Sequence, residues 1–146
     1  MDEPLEVVCN AEVQNLPVLL QLCERACRRA GVADEERDSV RLAVEEACVN
    51  IIEHGYAPGP PGPIALRFHF EPNRLRITIV DEAPHFDPRR VPAPELTADA
   101  QARRVGGLGW HLITQVMDDV SHEALGIRGN RLTLVKNLKK SSGRAQ

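Results

Sequence analysis

Two short runs in the middle of the chain, residues 64–70 and 75–81, alternate between apolar and polar side chains. Alternation at every second position is typical of a β-strand that buries one face and exposes the other. The connection between them contains Pro72 and Asn73, and so short a connection returns the second strand antiparallel to the first. The sequence therefore predicts an antiparallel hairpin whose apolar face is covered by other elements.

Two helical segments precede this hairpin. The first starts near Asn15, has Pro17 in its first turn, and runs to Gly31. The second starts at the acidic residues 34–36, which suit the positive end of a helix dipole, and Gly55 ends it. These segments predict a helical layer beside the hairpin.

The second helix has two chemically different sides. At about 100° per residue, Glu46, Asn50, Glu53 and His54 cluster on one side. The nearly opposite stripe is apolar and comprises Val40, Val44, Ala47, Cys48 and Ile51. We expect the apolar stripe to pack and the polar side to be free for chemistry.

Further strands are predicted at both ends of the chain. Residues 5–11 form a short alternating run, and residues 119–125 and 131–138 form two more apolar runs joined by a glycine-rich turn. The element order is then β-α-α-β-β, a connection, and α-β-β. This order predicts an α+β fold, a two-layer sandwich of a mostly antiparallel sheet and a helical layer.

The connection after the hairpin has a composition of its own. Residues 82–105 show no periodicity and contain four prolines, and we expect a lid at about residues 84–105. A glycine-rich turn at residues 106–109 follows and enters a third helix. Residues 139–146 read as a polar tail.

Composition limits the classes of function. A length of 146 residues with 42% hydrophobic content predicts one domain that spans residues 1–146. The formal net charge of -3 argues against direct binding of nucleic acid or of an anionic membrane through bulk charge. Without a leader pattern or a long apolar run, a cytoplasmic location is the expectation.

Cysteine spacing points to packing rather than to metal or redox chemistry. The chain contains no C-x-x-C, and Cys23 and Cys27 are one helical turn apart, where small apolar side chains commonly pack. We expect the cysteines to lie in the core.

Glu46 and Asn50 are the first candidates for chemistry. A carboxylate and a carboxamide one helical turn apart form a compact site for a metal ion and a proton. When no other motif accompanies them, two polar residues at this spacing more often lie on a solvated helix face. Glu45 points about 100° away from Glu46 and does not share the face of Asn50.

Asp81 and the glycine-rich turn are the next candidates. Asp81 ends an apolar strand, where a carboxylate is costly unless it is exposed or hydrogen-bonded, for instance to the amino group of adenine; a plain strand-ending turn is the alternative. Residues 106–109 could bring backbone N–H groups to phosphates, or could serve only as a hinge. The chain has neither G-x-x-x-x-G-K-[ST] nor a dinucleotide fingerprint.

The order of these features resembles the GHKL ATPase fold, also called the Bergerat ATP-binding fold, which DNA gyrase, histidine kinases and a heat-shock chaperone share. Within that group, four segments resemble the small anti-sigma factor serine/threonine kinases of bacterial partner-switching systems. The four segments are residues 46–56, 80–88, 106–113 and 129–136. The resemblance covers nearly the whole chain, residues 5–138.

The resemblance implies a role for each matching residue. Glu46 would be the general base for the attacking hydroxyl, Asn50 would bind Mg²⁺, and Asp81 would accept a hydrogen bond from the adenine amino group. Thr133 would lie near the adenine. The phosphate-side turn would comprise Gly107, Leu108 and Gly109. Apart from the resemblance, Arg104 or its neighbour Arg103, just before the glycine-rich turn, could reach the γ-phosphate from the lid; a pair of solvated lid charges is the alternative.

The implied function is that of an ATP- and Mg²⁺-dependent protein serine kinase. Such a kinase acts as an anti-sigma factor: it binds a sigma factor, phosphorylates an anti-anti-sigma (STAS-type) protein, and commonly forms a homodimer. Ala83 departs from this pattern, because the adenine-side segment of the family often has glycine there, and a methyl group could crowd the purine. Two alternatives therefore stay open, a non-catalytic or weakly catalytic nucleotide-binding anti-sigma module and a detached ATP-binding domain of a histidine kinase.

Overall fold

The computed structural model describes residues 3–84, 87–90 and 109–139, and these contain a five-stranded sheet in the order β1-β2-β3-β5-β4. Every neighbouring pair of strands is antiparallel, so the hairpin prediction for β2 and β3 is confirmed. The strands are β1 (Leu5–Asn10), β2 (Pro63–Glu71), β3 (Arg74–Asp81), β4 (Asp119–Ala124) and β5 (Asn130–Asn137).

Three α-helices accompany the sheet within the described ranges. They are α1 (Leu16–Ala30), α2 (Asp34–Asn50) and α3 (Gly109–Val116). The predicted start and end of α1 are confirmed, because Pro17 lies in its first turn and Gly31 follows it with a left-handed φ of 82°. None of the described helices is both long and apolar enough to cross a membrane.

The core lies between the helices and one face of the sheet. Strands β2 and β3 contribute six fully buried side chains at alternate positions, Ile64, Leu66, Phe68, Leu75, Ile77 and Ile79. The helices cover them with small and branched residues, including Leu19, Val40 and Val44. The alternation along the strands decides which face of the sheet the helices bury. The antiparallel sheet with helices on this face confirms the predicted α+β sandwich.

All four cysteines are free thiols associated with this core. Cys23, Cys27 and Cys48 are buried, and Cys9 is partly buried against the same cluster. The prediction that the cysteines pack in the core is confirmed.

The register between β3 and β5 decides which side chains share the helical face. Asp81 lies opposite Asn130, and both side chains are buried. Thr78 lies opposite Thr133, an odd number of positions away from the first pair along each strand. Because successive side chains alternate between faces, Asp81 and Asn130 face the helices, whereas Thr133 is on the other face.

Candidate active site

The polar pair on α2 is buried instead of solvated. Glu46 is 7% exposed and Asn50 is 1% exposed. Helix α3 packs against α2, and its first residue, Gly109, lies beside Asn50. Most residues in the second half of α2 are buried. The expectation of a free polar side therefore holds only for Glu53 and His54, which are exposed.

Asn50 lies directly beside the first residue of α3. A Cβ atom at Gly109 would be 3.3 Å from Nδ2 of Asn50, and Gly109 has a φ of +28°, so glycine suits both the spacing and the backbone. Nδ2 of Asn50 is buried and has no hydrogen-bond partner among the described residues. A buried amide group without a partner costs about 1–3 kcal/mol, which is a reason to expect a ligand beside it.

The chain does not leave the helix immediately after Asn50. Residues Ile51–Gly55 form a π-helical turn, a feature that is frequent at functional sites. Tyr56 follows, and its hydroxyl group donates to the carbonyl oxygen of Pro63 (2.5 Å) and accepts a hydrogen bond from the backbone N–H of Glu82 (2.7 Å). The end of the turn is thereby tied to the residue that follows Asp81.

Asp81 is held by a buried hydrogen-bond network. Its Oδ1 accepts from the backbone N–H of Ala83 and from Nδ2 of Asn130, both at 2.9 Å. Nδ2 of Asn130 also donates to the carbonyl oxygen of Ala83 at 2.9 Å. Burial raises the pKa of Asp81, and the bonds from Asn130 and Ala83 lower it in part. The network fixes the carboxylate while Oδ2 accepts no hydrogen bond from the described residues.

Asn130 is the site residue that sequence reasoning missed, and Gly129 explains its position. A Cβ atom at Gly129 would lie 1.9 Å from the carbonyl oxygen of Asp81, and Gly129 has a φ of +100°. Only glycine allows β5 to start so close to the end of β3. The signal was present in the sequence, because Asn130 has the same parity along β5 as the buried Leu132 and Leu134.

The placement of Thr133 is a correction. Thr133 lies on the face of the sheet that the helices do not cover, beside Thr78 and Arg131. It is separated by the sheet from Asp81, because three positions along a strand reverse the direction of a side chain. In the candidate site we replace Thr133 with Asn130.

A small cavity lies where α2 meets the ends of β3 and β5. Asp81 and Asn130 border it, together with His122 of β4. The remaining wall is apolar and comprises Ala47, Ile51, Pro88 and Leu132. The cavity measures about 10 Å³, so a purine enters only if a wall moves. Pro88 belongs to the short turn Pro88–Arg90, which lies outside the three α-helices and the sheet.

Ala83 is not among the residues that line this cavity. It is 1% exposed, and its methyl carbon is 3.5 Å from the position that a Cβ atom at Gly55 would occupy. The extra methyl group of Ala83 is thus accommodated beside a glycine of the π-helical turn.

Several predicted site residues fall outside the part of the chain that the structure describes. Most of the proposed lid at about residues 84–105, including Arg103 and Arg104, falls outside it. Gly107 and Leu108 of the glycine-rich turn fall outside it as well. Their roles stay predictions. Of the predicted residues that are described, Asn50 and Gly109 meet at the α2–α3 contact. Glu46 is buried one helical turn before Asn50, and Asp81 lines a cavity together with Ala47 of α2.

Comparison with known proteins agrees with the resemblance to the GHKL fold. Residues 9–136 match the model of a histidine kinase-like ATPase domain. "Serine-protein kinase RsbW" of Bacillus thuringiensis (strain Al Hakam) is 29% identical over 122 residues, which cover 81% of this chain and 76% of the relative. A protein of the same name from Listeria innocua serovar 6a is 32% identical over 96 residues, 63% of this chain and 61% of the relative.

A solved structure illustrates the same fold. The crystal structure of the RsbU and RsbW domains of Rv1364c from Mycobacterium tuberculosis matches 94% of this chain with a TM-score of 0.66 at 16% identity. The match spans 32% of that longer chain. The predicted GHKL fold is confirmed, and the chain belongs to the histidine kinase-like ATPase domain family.

Proposed function

We propose that this chain is an ATP-dependent protein serine kinase that acts as an anti-sigma factor and phosphorylates a STAS-type anti-anti-sigma protein. One observation carries the proposal: the buried Glu46 and Asn50 lie on the same helix that borders the Asp81 cavity. The chain belongs to a family in which relatives are named serine-protein kinase. In such a chain, this arrangement supports Asp81 as the acceptor on the nucleotide side and Glu46 as the catalytic carboxylate.

Glu46 is the proposed general base. Phosphoryl transfer to a serine requires a positioned group that accepts the proton of the attacking hydroxyl, and a carboxylate can do so. Glu46 is 7% exposed, so most water is excluded from its surroundings. Glu45, its neighbour, is partly buried and points in another direction.

Asn50 and Asp81 are the proposed binding residues for Mg²⁺ and adenine. A carboxamide oxygen is a suitable ligand for Mg²⁺, so Oδ1 of Asn50 is the proposed metal ligand. Nδ2 of Asn50, which is buried and has no partner among the described residues, could donate to an acceptor such as a phosphate oxygen. When bound, Mg²⁺ neutralises charge on the phosphates. Oδ2 of Asp81 is the proposed acceptor for the amino group of adenine, and Gly107, Leu108, Gly109 and Arg104 are proposed to contact the phosphates.

The alternative without catalysis depended on the methyl group of Ala83. This methyl group lies beside Gly55 and does not line the cavity, which favours a site that can hold a purine. We therefore keep the kinase as the first proposal. A sigma factor as binding partner, a homodimer and a cytoplasmic location belong to the same proposal.

The experiment that tests it is a transfer assay. Purified protein is incubated with γ-labelled ATP, Mg²⁺ and a STAS-type candidate from the same genome, and the product is treated with acid. We expect label on the STAS protein as acid-stable phosphoserine. Acid-labile phosphohistidine would instead indicate the histidine kinase alternative, and ATP binding with no transfer to any STAS candidate would indicate the non-catalytic module.

A further inference from the structure

His122 is a polar cavity residue to which the proposed function gives no role. It lies on β4 opposite Leu132, on the same face of the sheet as Asn130 and Asp81. The residue is partly buried, but its Nε2 atom is fully buried and has no hydrogen-bond partner among the described residues. A buried polar atom without a hydrogen bond lowers the stability of the fold unless a ligand supplies the missing bond.

The surroundings of His122 favour a neutral imidazole at pH 7. Burial is the largest cause and lowers its pKa; Arg89 lowers it further, whereas Asp87 and Asp81 raise it. A neutral imidazole carries one N–H donor and one lone pair, so a single ring nitrogen can donate to a ligand.

A count of donors shows why His122 matters for an adenine. Asp81 can only accept as a carboxylate, and both amide hydrogens of Asn130 are used, one for Asp81 and one for the carbonyl of Ala83. The other side chains that line the cavity are apolar. Among the described side chains around this cavity, His122 is the remaining donor.

Adenine needs such a donor beside its amino group. The amino group donates, and the ring nitrogen next to it, N1 on one edge or N7 on the other, accepts. A carboxylate can satisfy only the amino group. Guanine carries an oxygen in place of the amino group, which would face the carboxylate as a second acceptor.

We propose that Nε2 of His122 donates a hydrogen bond to the ring nitrogen beside the adenine amino group and so makes His122 a base-specificity residue. The inference rests on the proposed ATP binding. Asp81 then recognises the amino group and His122 the adjacent acceptor, which together select adenine over guanine.

The test compares nucleotides that differ by one ring nitrogen. Dissociation constants of ATP, 1-deaza-ATP and 7-deaza-ATP are measured by calorimetry for the wild-type chain. One deaza analogue should bind about 5- to 10-fold more weakly than ATP, as expected for loss of one neutral hydrogen bond. In His122→Leu, the binding of ATP should weaken by a similar factor. The same deaza analogue should bind this variant as tightly as ATP does, because the imidazole that would donate to the ring nitrogen is already absent.

Two further variants separate recognition from folding. His122→Gln keeps an N–H donor and should retain most of the discrimination between ATP and the analogue, and His69→Leu, on the opposite face of the sheet, should match the wild type. If the wild type binds ATP and both analogues equally, or if His122→Leu keeps the full discrimination, the role of His122 is refuted while ATP binding stands. If the wild type binds no ATP, the proposed function fails, and the role of His122 fails with it.

Discussion

At the scale of single residues, Asp81 combines a structural cost with a proposed role in binding. Burial raises its pKa above the unfolded value of about 3.9, so its charged form destabilises the fold at neutral pH. The cost disappears as the pH falls through the folded-state pKa, because the folded protein then binds the proton more readily than the unfolded chain. This cost is a reason to expect that Asp81 serves binding rather than stability.

Asp81→Asn should therefore separate stability from binding. The new side-chain oxygen can accept the bonds from Asn130 and Ala83, and no buried charge remains, so the variant should unfold at a higher temperature than the wild type at pH 7. The difference should shrink as the pH is lowered toward 4. ATP should bind about 10- to 100-fold more weakly, since an amide donor would face the adenine amino group. A destabilised variant with wild-type ATP affinity would contradict both expectations.

The proposed role of Asn50 as a Mg²⁺ ligand can be tested by measuring ATP affinity, without a transfer assay. Nδ2 of Asn50 has no partner in the described structure, so Asn50→Ala leaves no new unpaired group and should fold. We expect wild-type affinity for ATP to fall when Mg²⁺ is removed with a chelator, and the affinity of the variant to change by less than about 3-fold. An unchanged dependence on Mg²⁺ in Asn50→Ala would exclude the proposed ligand.

At the scale of elements, the approach of β5 to β3 depends on one glycine. Gly129→Ala would place a methyl carbon 1.9 Å from the carbonyl oxygen of Asp81 at a φ of +100°, and we expect a loss of about 3 kcal/mol or more in the free energy of unfolding. Gly126→Ala is the matched control, because its φ is +67° but nothing lies within 4 Å, and it should cost only about 1 kcal/mol. Denaturant unfolding measures both; equal losses would show that the contact with Asp81 is unimportant.

The elements that could be predicted are those with a local period. The β2–β3 hairpin follows from alternation and a short connection, and α1 follows from Pro17 and Gly31. The π-helical turn at Ile51–Gly55 has no such local pattern, so the second helix was expected to continue to its terminal glycine.

The site was less predictable than the elements, because its residues are joined by tertiary contacts. The burial of Glu46 and Asn50 depends on α3, which is distant in sequence. The choice between Asn130 and Thr133 depends on the register of β5 against β3, and a shift of an odd number of residues reverses the face. Resemblance to a family supplied the roles, and the register corrected one of them.

At the scale of the whole molecule, α2 is the element that unites the proposed site. Ala47 of α2 and Ile51, the first residue of the π-helical turn that follows it, border the Asp81 cavity. The polar residues Glu46 and Asn50 of α2 are buried, and Asn50 lies beside Gly109 of α3. A single helix that contributes to both places can position a nucleobase relative to a catalytic carboxylate. The match to a histidine kinase-like ATPase domain over residues 9–136 includes all of these elements.

The most direct test is single-turnover transfer of the γ-phosphate from Mg·ATP to a STAS-type partner, with ATP binding measured in parallel. Glu46→Gln should bind ATP within about 3-fold of the wild type and transfer phosphate at least about 100-fold more slowly, as expected for loss of a general base. Glu45→Gln, one residue away on another side of α2, should transfer at nearly the wild-type rate. Transfer by Glu46→Gln at the wild-type rate would contradict the proposed kinase site.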